Sequence, residues 1–287
     1  MTTYRPYGFL ALLIGLTGVL WWQAKPLRHW LAETCFTVKN GWPQGSPPSQ
    51  HLLDAALWFD PHLAKAYLEK SVPFNKRGDY AQGMYYLNQA VALQPREYLG
   101  YRGWLRLYML RDYEGSTRDL LRYDTFTPNF TDYPWSENLY FLLGLNYLQL
   151  KQPAQAVRYF QQASAAERQQ FGAKYVNPYN HLYAAIAYLN LKQYPLAVQQ
   201  VDSLTQLSSK CAEAAYYKAL ALYRMQHFEA ADRWINLAAT QYQQGYRHWN
   251  AYYDHPYQLE QPAIQALQQA IQQRVPPRRV PVLLIGE

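Results

Sequence analysis

The residues best equipped for chemistry are few and poorly arranged for it. Seven histidines are scattered along 287 residues, and their densest grouping is His248, Asp254 and His255, set among Trp249, Tyr252 and Tyr253. Two imidazoles and a carboxylate could hold a metal or supply a base. An amphipathic cap with its polar tips in water uses the same residues without chemistry, and that reading is preferred. The chain contains no phosphate-cradling GxxxxGK[ST], no HExxH, no GxSxG elbow and no CxxC. Cys35 and Cys211 are the two cysteines, too far apart in sequence to read as a disulfide or ligand pair. Asn129-Phe130-Thr131 matches a glycosylation acceptor, a triplet that also arises by chance. The expectation is a non-enzyme without cofactor or metal.

The chemistry that is abundant is aromatic. The chain has 28 Tyr, 9 Trp and 10 Phe, side chains that give rigid contact area and, in Tyr, a hydroxyl for hydrogen bonding. Net charge is +7, but from residue 62 to residue 273 the surplus is 20 basic against 16 acidic side chains. That is diffuse and not a stripe, so no nucleic-acid partner is expected.

The elements that must position these rings are helices. The stretch 137–163, ENLYFLLGLNYLQLKQPAQAVRYFQQA, gives two amphipathic helices broken at Lys151-Gln152-Pro153. One face of the first carries Tyr140, Leu143, Gly144 and Tyr147, and the second carries Ala156, Phe160 and Ala163. Gly144 and Ala156 are small among large neighbours, so two antiparallel helices can approach closely. On these residues the segment resembles the tetratricopeptide repeat family. The resemblance implies an all-α fold, a right-handed superhelical solenoid of antiparallel helix pairs.

The period recurs. Repeats are expected near 64–97, 97–130, 137–170, 178–211 and 212–245, with start-to-start steps of 33, 40, 41 and 34 residues. A half-repeat at 48–61 precedes them, a cap at 246–274 ends in a Gln-rich helix, and 275–287 is a Pro-rich tail. Trp104 stands where the second repeat should have a small residue, so that pair is expected to be splayed or shifted. The two long steps place extra residues, around 129–135 and 169–178, in the same loop between repeats, and hence along one edge.

Members of the family line a concave face with the first helix of each repeat, and that face receives a peptide. The positions this implies are Tyr98, Tyr101, Arg102, Tyr108, Phe141, Tyr179, Tyr183, Tyr216, Tyr217, Tyr223 and Arg224, with Phe130, Trp135, Phe171 and Tyr175 as edge-loop alternatives. The Lys/Asn/Arg clamp of the chaperone-binding members has no counterpart here. The expected function is an adaptor binding another protein or peptide in an aromatic groove. A glycan or polymer stacking on the same rings is the alternative, and an RNA-binding repeat the weaker one.

Residues 6–24 run uncharged for 19 positions, with Tyr7, Trp21 and Trp22 where interfacial aromatics belong. They are expected to form a transmembrane anchor in the lipid bilayer; a cleaved signal peptide is the rival, weakened by Trp22 where a small residue would be needed upstream of Ala24. Lys25 and Arg28 nearly balance Arg5, which leaves orientation open, with the extracytoplasmic side favoured for the repeats. Residues 25–47 read as a linker.

Overall fold

The computed structural model describes residues 24–128 and 130–276. These fold into α-helices joined by short turns: α1 Lys25–Val38, α2 Pro47–Phe59, α3 Ala64–Lys76, α4 Tyr80–Leu93, α5 Pro95–Leu105, α6 Tyr113–Asp124, α7 Leu139–Gln149, α8 Pro153–Phe171, α9 Pro178–Asn190, α10 Tyr194–Leu207, α11 Ala212–Arg224, α12 Phe228–Gln243 and α13 Gln261–Gln272. No strand occurs among the described residues. The helices fall into two compact units that divide after Tyr98.

In the first unit, α1 is a correction to the sequence reading. Residues 25–47 were expected to be a linker, and 14 of them form a helix whose Ala32 is fully buried beside Leu53, Ala56, Leu63 and Ala66. The Pro and Gly that suggested a linker fall at 41–48, in the loop before α2 and in the first two residues of α2 itself. The supposed half-repeat therefore has a first helix. Ion pairs tie α1 and its flanking turn to α3: Lys65 Nζ to Glu33 Oε2 at 2.5 Å and Lys39 Nζ to Glu69 Oε2 at 2.8 Å. Helix α4 closes on α3 through Gly83, where a Cβ would collide with the side chain of Asn75.

From α3 onward, the turn inside each helix pair holds one left-handed residue: Gly78, Arg111, Lys151, Lys192 and Gln226, with φ between 53° and 79°. These residues step by 33, 40, 41 and 34, the spacing read from the sequence. In the first unit the close-packing residue, Ser71, precedes its turn residue by seven positions, as Gly144, Ala185 and Ala219 precede theirs in the second.

The helix pair α5–α6 breaks that count, and its geometry explains Trp104. The residue facing α6 is Gly103, one position earlier than expected: its Cβ would lie 2.8 Å from Leu120 Cδ2, and Ser116 Oγ donates to its carbonyl at 2.7 Å. Gly103 is eight residues from Arg111, so the pair holds one extra residue. A π-helical turn over Arg106–Leu110 absorbs it, the usual way to insert a single residue into a helix. The pair is thus shifted rather than splayed. Arg102 then turns toward α6, where its guanidinium forks onto Asp119 with two contacts of 2.7 Å.

Residues 6–23 lie outside the described residues. Among the described residues, no helix is long and apolar enough to cross a membrane.

Candidate functional site

In the second unit the first helices α5, α7, α9 and α11 present a wall of aromatic side chains, as the repeat pattern requires. The wall is not open. The irregular segment 246–259 lies along it, and Leu259 is fully buried. Tyr hydroxyls grip the main chain of that segment: Tyr183 donates to the Pro256 carbonyl at 3.1 Å and Tyr217 to the Tyr257 carbonyl at 3.2 Å. Farther on, Tyr223 donates to the carbonyl of Val275 at 2.6 Å. In return, Tyr257 donates to the Leu148 carbonyl at 3.4 Å. The start of the segment is fixed by Ala212 N donating to Tyr246 O at 2.8 Å.

Two carboxylates, the half-buried Glu137 and the buried Glu213, organise the contact. Glu137, just before α7, accepts from Tyr108 Oη at 2.6 Å, Trp104 Nε1 at 3.0 Å and Tyr253 Oη at 3.3 Å. Burial raises its carboxyl above the usual range, and the three donated hydrogen bonds offset only part of that. Glu213, in the first turn of α11, accepts the backbone N–H of His248 at 3.0 Å, and burial raises it too. Trp104 therefore sits inside an aromatic cluster with Tyr101, Tyr108, Trp135 and Tyr253, at ring distances of 5.4–6.3 Å.

Of His248 and His255, read from the sequence as solvated tips of a cap, His255 is in fact buried and His248 half-buried. Their rings stack at 3.5 Å, with Tyr179 on His248 at 3.6 Å and the Tyr183 hydroxyl 3.2 Å from His248 Nδ1. Burial holds His248 well below its ordinary value, helped by the neighbouring His255, and brings His255 down to about 4 against the pull of Asp254. Stacked face to face, the two rings do not converge on a common point. Among the described residues, no three His, Cys, Asp or Glu side chains are grouped to hold a metal.

The expected groove residues thus need correction as a free surface. Tyr101, Tyr108, Phe141, Tyr183, Tyr216, Tyr217 and Tyr223 are all buried. Tyr179 is half-buried under His248, and burial pushes its phenol up to about 12. Arg102 is committed to Asp119, and Arg224 is half-buried at the end of α11. Tyr98 belongs to the first unit and is half-buried there. The repeat pattern located the wall; segment 246–259 has no periodicity, so nothing in it announced that it would cover the wall. Its aromatic density, Tyr246 to Tyr257, was the available signal.

The edge loops behave differently. Phe130, Trp135, Phe171 and Tyr175 are 49–62% exposed. The two loops meet: Tyr133 packs on Phe171 at 5.8 Å and its hydroxyl reaches Gln170 Oε1 at 3.3 Å. Trp135 has φ 52°, a left-handed conformation that an aromatic residue rarely takes, and it lies over Tyr101 at 4.4 Å with its outer face in solvent. Beneath them Glu167 ties successive repeats together, accepting from Asn138 Nδ2 at 3.1 Å, Asn177 N at 2.8 Å and Asn180 Nδ2 at 2.8 Å.

Neither a protein-family model nor a curated protein matches the sequence. Solved structures do. The chain is similar to PilF of Pseudomonas aeruginosa, with 22% identity, 76% of this chain and 97% of that one covered, and a TM-score of 0.54. It is similar to a MamA fragment, residue 41 to the end, from Desulfovibrio magneticus RS-1, with 16% identity, coverage of 63% and 96%, and a TM-score of 0.54. It is also similar to YrrB, described as a TPR protein with an unusual peptide-binding site, with 15% identity, coverage of 66% and 91%, and a TM-score of 0.51. At these identities the likeness is one of architecture, and the architecture is the tetratricopeptide-like stacking of helix pairs.

Proposed function

We propose that the protein is a non-enzymatic interaction scaffold, tethered to a membrane through residues 6–24, that holds another protein or peptide segment on the aromatic edge formed by Phe130, Trp135, Phe171 and Tyr175. The observation that carries this reading is the filled wall. With the tyrosines of α9 and α11 already bonded to segment 246–259, the edge loops offer a partner four exposed rings in place of that wall; Trp249 and Tyr252, exposed as well, belong to the covering segment itself. Such rings, rigid and partly apolar, dominate many protein interfaces. The fold is one in which YrrB is described as having a peptide-binding site.

The test is site-specific photocrosslinking in native membranes. A benzophenone amino acid at Trp135 or Tyr175 should yield a discrete protein adduct, identified by mass spectrometry, and the same probe at Tyr217 should yield none. Adducts to no protein, with retention of a glycan instead, would favour the polymer-binding alternative and end this reading. A second reading is favoured by one observation, the grip of Tyr183 and Tyr217 on main-chain carbonyls, which would suit any extended peptide. On that reading a partner displaces 246–259, and adducts would come from Tyr217 and not from the edge.

A further inference from the structure

Helix α1 is amphipathic in an unusual sense: both of its sides are apolar. Ala32 and Phe36 face α2 and the core of the first unit. On the opposite side Leu27 and Trp30, one turn apart, are 58% and 60% exposed. Trp58, near the end of α2, is 64% exposed. A hydrogen bond of 2.7 Å between His29 Nδ1 and Asp60 Oδ2 closes the start of α1 onto the end of α2. The three large side chains therefore belong to the same end of one helix pair. Exposed apolar residues scattered singly need no explanation, but a group of them marks a contact surface.

We propose that this end of the first unit lies on the bilayer, with Leu27, Trp30 and Trp58 in the headgroup layer and Lys25 and Arg28 at the level of the lipid phosphates. The proposal rests on the reading of residues 6–24 as a membrane tether. The uncharged run ends at Ala24, whose carbonyl accepts from Arg28 N at 2.9 Å, so the chain passes from the run straight into the first turn of α1. At about 1.5 Å per helical residue, Leu27 and Trp30 lie about 4.5 and 9 Å beyond it. The polar layer on each side of a bilayer is about 5–8 Å deep, so a helix leaving at a slant keeps both side chains inside it. Tryptophan partitions into that layer, and the exposed Lys25 and half-buried Arg28, one turn apart, add positive charge at this end, which an anionic lipid surface favours.

The experiment uses the full chain, carrying Cys35→Ala and Cys211→Ala, reconstituted in vesicles of phosphatidylcholine and phosphatidylglycerol. A nitroxide is attached at Trp30→Cys or Trp58→Cys, and at Tyr85→Cys on α4 as the exposed control within the same unit. Accessibility to oxygen and to a water-soluble nickel chelate is compared. Labels at 30 and 58 should gain oxygen and lose nickel accessibility relative to 85, and should shift toward water when the anionic lipid is omitted. Labels as open to nickel as the control would overturn the proposal. So would labels shielded from both reagents, the result expected if a protein or a second copy covers this end. Carbonate extraction of the same vesicles tests the tether separately. Retention with water-exposed labels would refute only the surface contact, and extraction with lipid-exposed labels before the wash would refute only the tether.

Discussion

A Cβ built on Gly144 would lie 2.5 Å from Phe160 Cε1, with two further ring atoms inside 2.9 Å. Phe160 is itself buried against Phe141 and Tyr183, so its ring has nowhere to retreat. Gly144→Leu should accordingly cost about 1–3 kcal/mol by overpacking, read as a lowered thermal midpoint with helical circular dichroism retained at low temperature. An unchanged midpoint would mean that α7 and α8 are paired in another register. This residue was legible from sequence because it obeys the shared period. Trp104 was not, because the extra residue that shifts it is absorbed by the Arg106–Leu110 π turn, and no single residue type announces a π turn. The buried tyrosines mark a limit of the same kind. Their placement on first helices follows from the repeat, but their exposure depends on a segment far along the chain, 73 residues away in the pair Tyr183 and Pro256 and farther still for Tyr108 and Tyr253.

Segment 246–259 shows how one element's fate can depend on protons. His248 and His255 are held neutral by burial, His255 with its value brought from 6.5 to about 4. The unfolded chain binds protons that the folded chain refuses throughout that interval. The contribution of His255 to stability is therefore complete above about pH 6.5 and is lost as the pH falls toward about 4, and that of His248 is lost in the same direction. Glu137 and Glu213, raised by burial, act in the opposite sense: their contribution is present in acid and lost as the pH rises through their folded values. Asp254 favours the charged form of His255, and the phenols of Tyr108, Tyr179, Tyr183 and Tyr253, all raised, stay neutral in this range. Lowering the pH from about 7 to about 5.5 should thus make 246–259 the first segment to exchange its amide hydrogens, measured by mass spectrometry, and His255→Gln should weaken that dependence. A pH-independent exchange pattern in the wild-type chain would show that the imidazoles are not held as described. Helix α1 is the contrasting element. Its pattern was present in the sequence, but it follows an apolar run and precedes a Pro/Gly loop, and those neighbours drew it into the wrong class.

For the molecule as a whole, α1 has two allegiances, and they can be separated by where the chain is cut. It follows residues 6–24, read as the tether, and it belongs to the core of the first unit, where Ala32 is fully buried. Starting the chain at Ala24 removes only the apolar run. That protein should be washed from membranes by carbonate and should melt like the solubilised full chain. Starting it at Ser46, inside the region that reads as a linker, also strips α1 from Leu53, Ala56 and the partly buried Leu57 and Phe59. It removes Glu33 from Lys65 and Lys39 from Glu69 as well. Each large apolar side chain returned to water forfeits about 1.5–3 kcal/mol, and whole domains hold only about 5–15 kcal/mol in reserve. The shorter chain should therefore lose the cooperative transition of the first unit, or expose enough apolar surface to aggregate, while the longer one keeps it. Equal melting of the two truncations would show that α1 contributes nothing to the core. Carbonate-resistant membrane retention of the chain starting at Ala24 would place the membrane attachment outside residues 6–23, and the tether reading would fail with it.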